Sequence, residues 1–161
     1  MSPSDDARHK YRIEKQQLSV TLIMLGGEAI NGHVFVQPSA FHYGVPEEPL
    51  HLFNAPEPFL PLAQEDGEVL LVAKDRVVEV TGLPPAEEDE LRRQSARPAL
   101  LEITLGGGIV HLGSIRLETP SDRPRLQDFL NHCTDRFTTL YTTDGVRLIN
   151  VRLIDRVRPL D

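Results

Sequence analysis

Arg8 and Arg12 stand four residues apart in Arg-His-Lys-Tyr-Arg, near the start of the chain. Two guanidiniums at that spacing can clamp two phosphates, because each presents a planar fork of donors. Further along, Arg123 and Arg125 lead an arginine-rich stretch that continues through Arg136, Arg152, Arg156 and Arg158. A positive groove for an anionic peptide or a nucleotide is one expectation. The plainer one is a set of exposed ion pairs with Asp122, Asp128, Asp135 and Asp155, each worth little. Phe41-His42-Tyr43 lies inside a proline-bounded stretch, Pro38–Pro49. Aromatic side chains on a long loop can anchor a partner, or fold back as a lid over their own domain.

Catalytic chemistry finds less to work with. His132 and Cys133 are adjacent, and no other pair among the six histidines and the cysteine has the local spacing of a zinc site. Cys133 is the only cysteine; it follows an amphipathic stretch, so packing is a better reading for it than nucleophilic attack. Gly106-Gly107-Gly108 is not followed by Gly-Lys-Ser/Thr, so it is no phosphate loop. No serine-centred elbow or close acid pair stands out. The chain is therefore read as a non-enzyme, with no cofactor and no metal.

The elements that would position these groups follow from an internal match. Val20–Val36 aligns without a gap on Leu101–Leu117, and Phe59, Leu62, Asp66-Gly67 and Leu70-Leu71 align on Phe137, Leu140, Asp144-Gly145 and Leu148-Ile149. Each copy opens with apolar alternation, Val20, Leu22, Met24 in one and Leu101, Ile103, Leu105 in the other, the period of a strand buried on one face. Glycines follow where a tight turn needs positive φ, and Gly32 and Gly113 then suggest a bulge or bend in the returning strand. Short helical signals around Leu50–Asn54 and Leu126–Leu130 precede strands at Phe59–Leu62 and Phe137–Leu140. Asp-Gly turns lead to paired strands at Glu68–Ala73 and Val77–Val80, and at Val146–Val151 and Ile154–Val157. The expectation is two units of five strands and one helical turn.

Boundaries follow from composition. Residues 1–16 form a polar tail or helix, 17–82 the first unit, 83–98 a spacer and 99–161 the second unit. The spacer carries Glu88–Arg92 and Asp89–Arg93 at helical i, i+4 spacing, so it reads as a short helix or a charged loop. From Gly32 to Asn54 the first copy is four residues longer than the second from Gly113 to Asn131, and Phe41–Tyr43 falls in that excess. The net charge of −7 is uneven: 17–82 carries nine acidic and two basic residues, whereas 99–161 carries eight of each. The first unit would repel a phosphate backbone and the second could tolerate one. With one cysteine, no apolar leader in 1–16 and no run long enough to cross a membrane, a cytoplasmic setting without membrane contact is expected.

The opening Val-Thr-Leu-x-x-x-Gly-Gly-x-x-x-x-Gly-x-Val resembles the first motif of Sm-like proteins, small SH3-like barrels that in many cases form RNA-binding rings. The likeness spans about 17 residues of each copy and implies a barrel. It does not imply the RNA site, because the late hairpins read Val72-Ala-Lys-Asp-Arg76 and Asn150-Val-Arg-Leu153, without the Arg-Gly pair that builds it. The whole chain is more similar to a bacterial family of duplicated barrels, which brings no activity with it. Arg8-x-x-x-Arg12 is similar to the opening of PilZ-type cyclic-dinucleotide receptors, also barrels. The accompanying Asp/Asn-x-Ser-x-x-Gly stretch is missing, since Gln37–Gly44 lacks the acid and has one residue too many.

Together these observations predict a mainly β chain: a tandem repeat of two small SH3/Sm-like five-stranded barrels, each with a short helix. The predicted role is a non-catalytic cytoplasmic adaptor that binds another protein or a second copy of itself, through Phe41, His42 and Tyr43. The alternative is an RNA- or nucleotide-binding protein of Sm-like or PilZ-like type, with Arg8, Arg12, Arg123 and Arg125 holding the anion.

Overall fold

Alternating apolar residues set the two longest hairpins of the chain. A computed structural model describes residues 16–36, 49–84, 97–117 and 126–160. In the first half, β1 (Gln16–Met24) turns into β2 (Ala29–Val36), with pairing from Gln16↔Val36 to Ile23↔Ala29. Val20, Leu22, Val34 and Val36 point inward from this hairpin and are buried. Gly27 makes the turn at φ 90°, a conformation that costs a side-chain-bearing residue but not glycine. A short helix, α1 (Pro49–Asn54), then leads to β3 (Phe59–Ala63), β4 (Val69–Ala73), a single 3-10 turn at Lys74–Arg76 and β5 (Val77–Thr81).

The second half runs through the same order: β6 (Arg97–Leu105), β7 (Val110–Leu117), α2 (Leu126–His132), β8 (Phe137–Thr142), β9 (Gly145–Asn150), a 3-10 turn at Val151–Leu153 and β10 (Ile154–Pro159). Pairing of β6 already begins at Arg97, inside the stretch expected to be spacer. Individual backbone bonds recur as well. Leu25 N–H donates to Arg76 O as Gly106 N–H does to Leu153 O, and Lys74 N–H donates to Pro58 O as Val151 N–H does to Arg136 O. These pairs fix the positional correspondence between halves. The number offset is 81 in the first hairpin and 77 beyond the Asp-Gly turns. The β8–β9 turn is one residue shorter, so Leu71 corresponds to Leu148 and Val72 to Ile149, one step off the register that the sequence match suggests.

Gly32 and Gly113 act by close approach rather than by a bulge. Pairing passes through both without a register shift, and shifts fall instead at Ile23/Met24 and between Ile154 and Arg156. A Cβ on Gly32 would lie 2.6 Å from Leu62 Cγ and 2.8 Å from the Ala63 carbonyl oxygen. A Cβ on Gly113 would run into the Tyr141 carbonyl oxygen and Leu140. The absent side chain lets β3 and β8 cross over the bent hairpins.

Two closed barrels are not what results. The ten strands of the described residues form one antiparallel sheet, in the order β10-β6-β7-β8-β9-β5-β1-β2-β3-β4, and among those residues the sheet is open at β10 and β4. The halves meet where β5 pairs with β9, at Glu79↔Ile149 and Val80↔Leu148. Buried residues form two clusters, but each borrows across this seam. Phe137 and Leu148 of the second half pack with Val20, Leu22, Phe53, Leu60 and Leu62, whereas Val78 of the first half packs with Leu101, Ile103, Leu105 and Ile115. None of the helices is long and apolar enough to cross a membrane among the described residues.

Candidate functional site

The seam shows what the end of one half requires from its neighbour. Asn54, at the end of α1, faces the backbone of Phe137: its side-chain oxygen accepts from Phe137 N–H at 2.7 Å and its amide donates to Phe137 O at 3.0 Å. This two-bond contact copies a strand pairing and seats the Phe137 ring edge-on against Phe53, 5.4 Å between centroids. Asn150 is fully buried and ties β9 to the first half, donating to Val77 O at 2.9 Å while accepting from Arg152 N–H. Lys74 is also buried and donates from Nζ to the carbonyls of Leu52 and Ala55, closing the C-terminal end of α1. Burial pulls its pKa down, with the nearby Arg136 adding to the effect and Glu57 opposing it.

Charge crosses the seam in one direction. Glu79 of β5 is buried, with one carboxylate oxygen 2.7 Å from His111 Nε2 and the other 3.6 Å from Arg147. Asp75 lies 2.8 Å from Arg136 and 3.6 Å from Arg152. The first half therefore supplies carboxylates and the second supplies arginines and a histidine.

The far side of the first half carries the corresponding surface uncovered. Phe59 occupies the position of Phe137 and is 56% exposed against 1%; Leu71 occupies that of Leu148 and is 70% exposed against 2%. Val69 is exposed beside them, so the outer face of β3 and β4 is an apolar ledge along a strand that, among the described residues, pairs only with β3. Next to this ledge lies a shallow cleft of about 470 Å³ lined by Glu28, Ala29, Ile30, Asn31, Gln64, Glu65, Asp66 and Leu70. Ile30 and Leu70 hold the places that His111 and Arg147 hold in the second half. A free strand edge, an apolar ledge and an acidic cleft together can accept another β-strand with cationic side chains.

The residues singled out in the sequence fare differently. Phe41, His42 and Tyr43, the pair Arg8 and Arg12, and Arg123 with Arg125 all lie outside the described residues, as do the expected helices before residue 16 and in the spacer. Several arginines of the second half lie against carboxylates or a ring, although Arg136 Nε and Nη1 are buried without a hydrogen-bond partner among the described residues. Arg136 and Arg152 reach Asp75 across the seam rather than the nearby aspartates, Arg156 pairs with Asp155, Arg158 with Glu102, and Arg116 stacks on Tyr141. Cys133 is half-buried and belongs to neither cluster; burial raises its pKa, and its thiol donates weakly to Asp135 O. Among the described residues no group of His, Cys, Asp and Glu is placed to hold a metal ion.

Sequence reasoning passed over Phe59, Leu71, Glu79, Asn54 and Asn150. One signal was present: Val69-Leu-Leu-Val-Ala73 is apolar on both faces, the pattern of a strand covered on both sides. Nothing in the sequence pairs Glu79 with His111 or Asn54 with Phe137. Comparison of the chain with protein-family models, curated proteins and solved structures gives no match.

Proposed function

We propose that this protein is a non-catalytic interaction module, a cytoplasmic adaptor built from two related SH3/Sm-like units, and that its working surface is the free β3–β4 edge. The observation that carries this reading is the exposure of Phe59 and Leu71 at positions whose counterparts are fully covered. Burying a side chain of either type is worth about 1.5–3 kcal/mol. An incoming strand would also satisfy the outward N–H and C=O groups of β4. Phe41, His42 and Tyr43 lie in the sequence between β2 and α1 and belong to the same reading as anchors of the partner.

The RNA or nucleotide reading has less behind it. Its described arginines already hold carboxylates or an aromatic ring, and the cleft beside the free edge is acidic, which repels phosphate.

A photo-crosslinking amino acid placed at position 71 tests the proposal in cells. Covalent capture of a discrete polypeptide from position 71, and none from the equally exposed position 112 on the far hairpin, is the expected outcome. Equal, diffuse labelling from both positions would remove the β4 edge as the working surface.

A further inference from the structure

We infer that the polypeptide accepted by the β4 edge is the β10 edge of a second copy of this chain, joined in the same register as the internal β5–β9 seam. This deepens the proposed function and rests on it. The argument is one of correspondence. Within the chain, the fifth strand of one half pairs with the fourth strand of the other, Glu79↔Ile149 and Val80↔Leu148. The same relation between copies would pair Arg156↔Val72 and Val157↔Leu71. Among the described residues both strands concerned are the ends of the sheet, so each copy offers one of each.

The side chains fit that register. Leu71 and Phe59 would be covered by the end of the next copy that holds Ile154 and Val157, half-buried residues at the places of Val77 and Val80, which cover Leu148 and Phe137 inside the chain. Asn131, exposed one residue before the end of α2, is the asparagine that could make a two-bond contact of the Asn54 kind with the Phe59 backbone.

The charges fit as well, with their sense reversed. Inside the chain Glu79 meets His111 and Arg147. Between copies, the place of Glu79 is taken by Arg156, and those of His111 and Arg147 by Ile30 and Leu70 in the acidic cleft with Glu28, Glu65 and Asp66. Among the described residues Arg156 pairs with its sequence neighbour Asp155, an exposed pair that contributes little. Because acid meets base in opposite senses at the two seams, an internal half cannot be exchanged for an external one without setting like charges together, which fixes the order of assembly. Such a contact is head-to-tail. It propagates, and closes into a ring if the rotation between units permits.

Two full-length variants test this. Leu71→Asp blocks the β4 edge, and Arg156→Glu combined with Val157→Asp blocks the β10 edge. The substituted positions are exposed or half-buried, and a circular-dichroism melt of each variant alone reports whether it folds. The expected result is that unmodified protein has several times the mass of one chain, that each folded variant alone has the mass of one chain, and that an equimolar mixture doubles in mass. Doubling on mixing requires one intact β4 edge and one intact β10 edge, which no like-to-like contact supplies. Unmodified protein at the mass of a single chain, or variants that mix without doubling, would overturn the inference. If the crosslinker at position 71 still captured a different polypeptide in that case, the interaction module would stand and self-pairing alone would fall.

Discussion

Gly113 shows how a single missing side chain can govern the course of a strand. A Cβ there would run into the Tyr141 carbonyl oxygen, so β8 can cross only over a glycine. Gly113→Ala is expected to lower stability by about 1–3 kcal/mol, the usual cost of overpacking, seen as a fall in the urea midpoint without a change of slope. Lys74 gives a second test, with a sign. Burial lowers its folded pKa, so as pH rises through that value towards the unfolded one the unfolded chain binds more protons, and stability rises with pH in that window. Lys74→Met should remove this alkaline rise. It should also cost about 1–3 kcal/mol at neutral pH, because the Leu52 and Ala55 carbonyls lose their donor. Cys133 has its pKa raised by burial, so alkylation at neutral pH should be slower than for a free thiol and should speed up sharply in urea. Rapid reaction of the folded protein would contradict its placement.

At the scale of elements, the strands and turns were largely legible in the sequence and the seam was not. Alternation at Val20–Met24 and Leu101–Leu105, glycine turns and Asp-Gly hairpins mark local geometry, and local geometry is written in neighbouring residues. The helical signals at Leu50–Asn54 and Leu126–Leu130 also correspond to α1 and α2. The contact of Asn54 with Phe137 joins residues 83 positions apart and leaves no periodic trace. Register past the Asp-Gly turns was lost for a related reason: one residue is missing from the second turn, and an ungapped match cannot show it. The half-buried Asn54 amide is a test of the seam at this scale. Asn54→Ala leaves the Phe137 N–H and C=O without partners and should destabilise the chain by about 1–3 kcal/mol. A loss no larger than that of an exposed asparagine would mean that α1 does not hold β8.

Across the whole molecule, one sheet rather than two separate barrels changes what the halves can do alone. The expected picture of two units on a spacer allows each to fold around its own apolar centre. Instead, Phe137 and Leu148 complete the core of the first half, and Val78 that of the second. Residues 97–161 expressed alone would expose Phe137 and Leu148, and should melt without cooperativity or aggregate, followed by circular dichroism. The same logic reads the exposed Phe59 and Leu71 as an unfinished seam rather than an ordinary surface, since scattered apolar residues are normal but a ledge along a free strand is not. The sedimentation-equilibrium mass of the unmodified chain at micromolar concentration tests that claim most directly. The account predicts a mass of several chains that falls to that of one with Leu71→Asp; a single-chain mass for both proteins would contradict it.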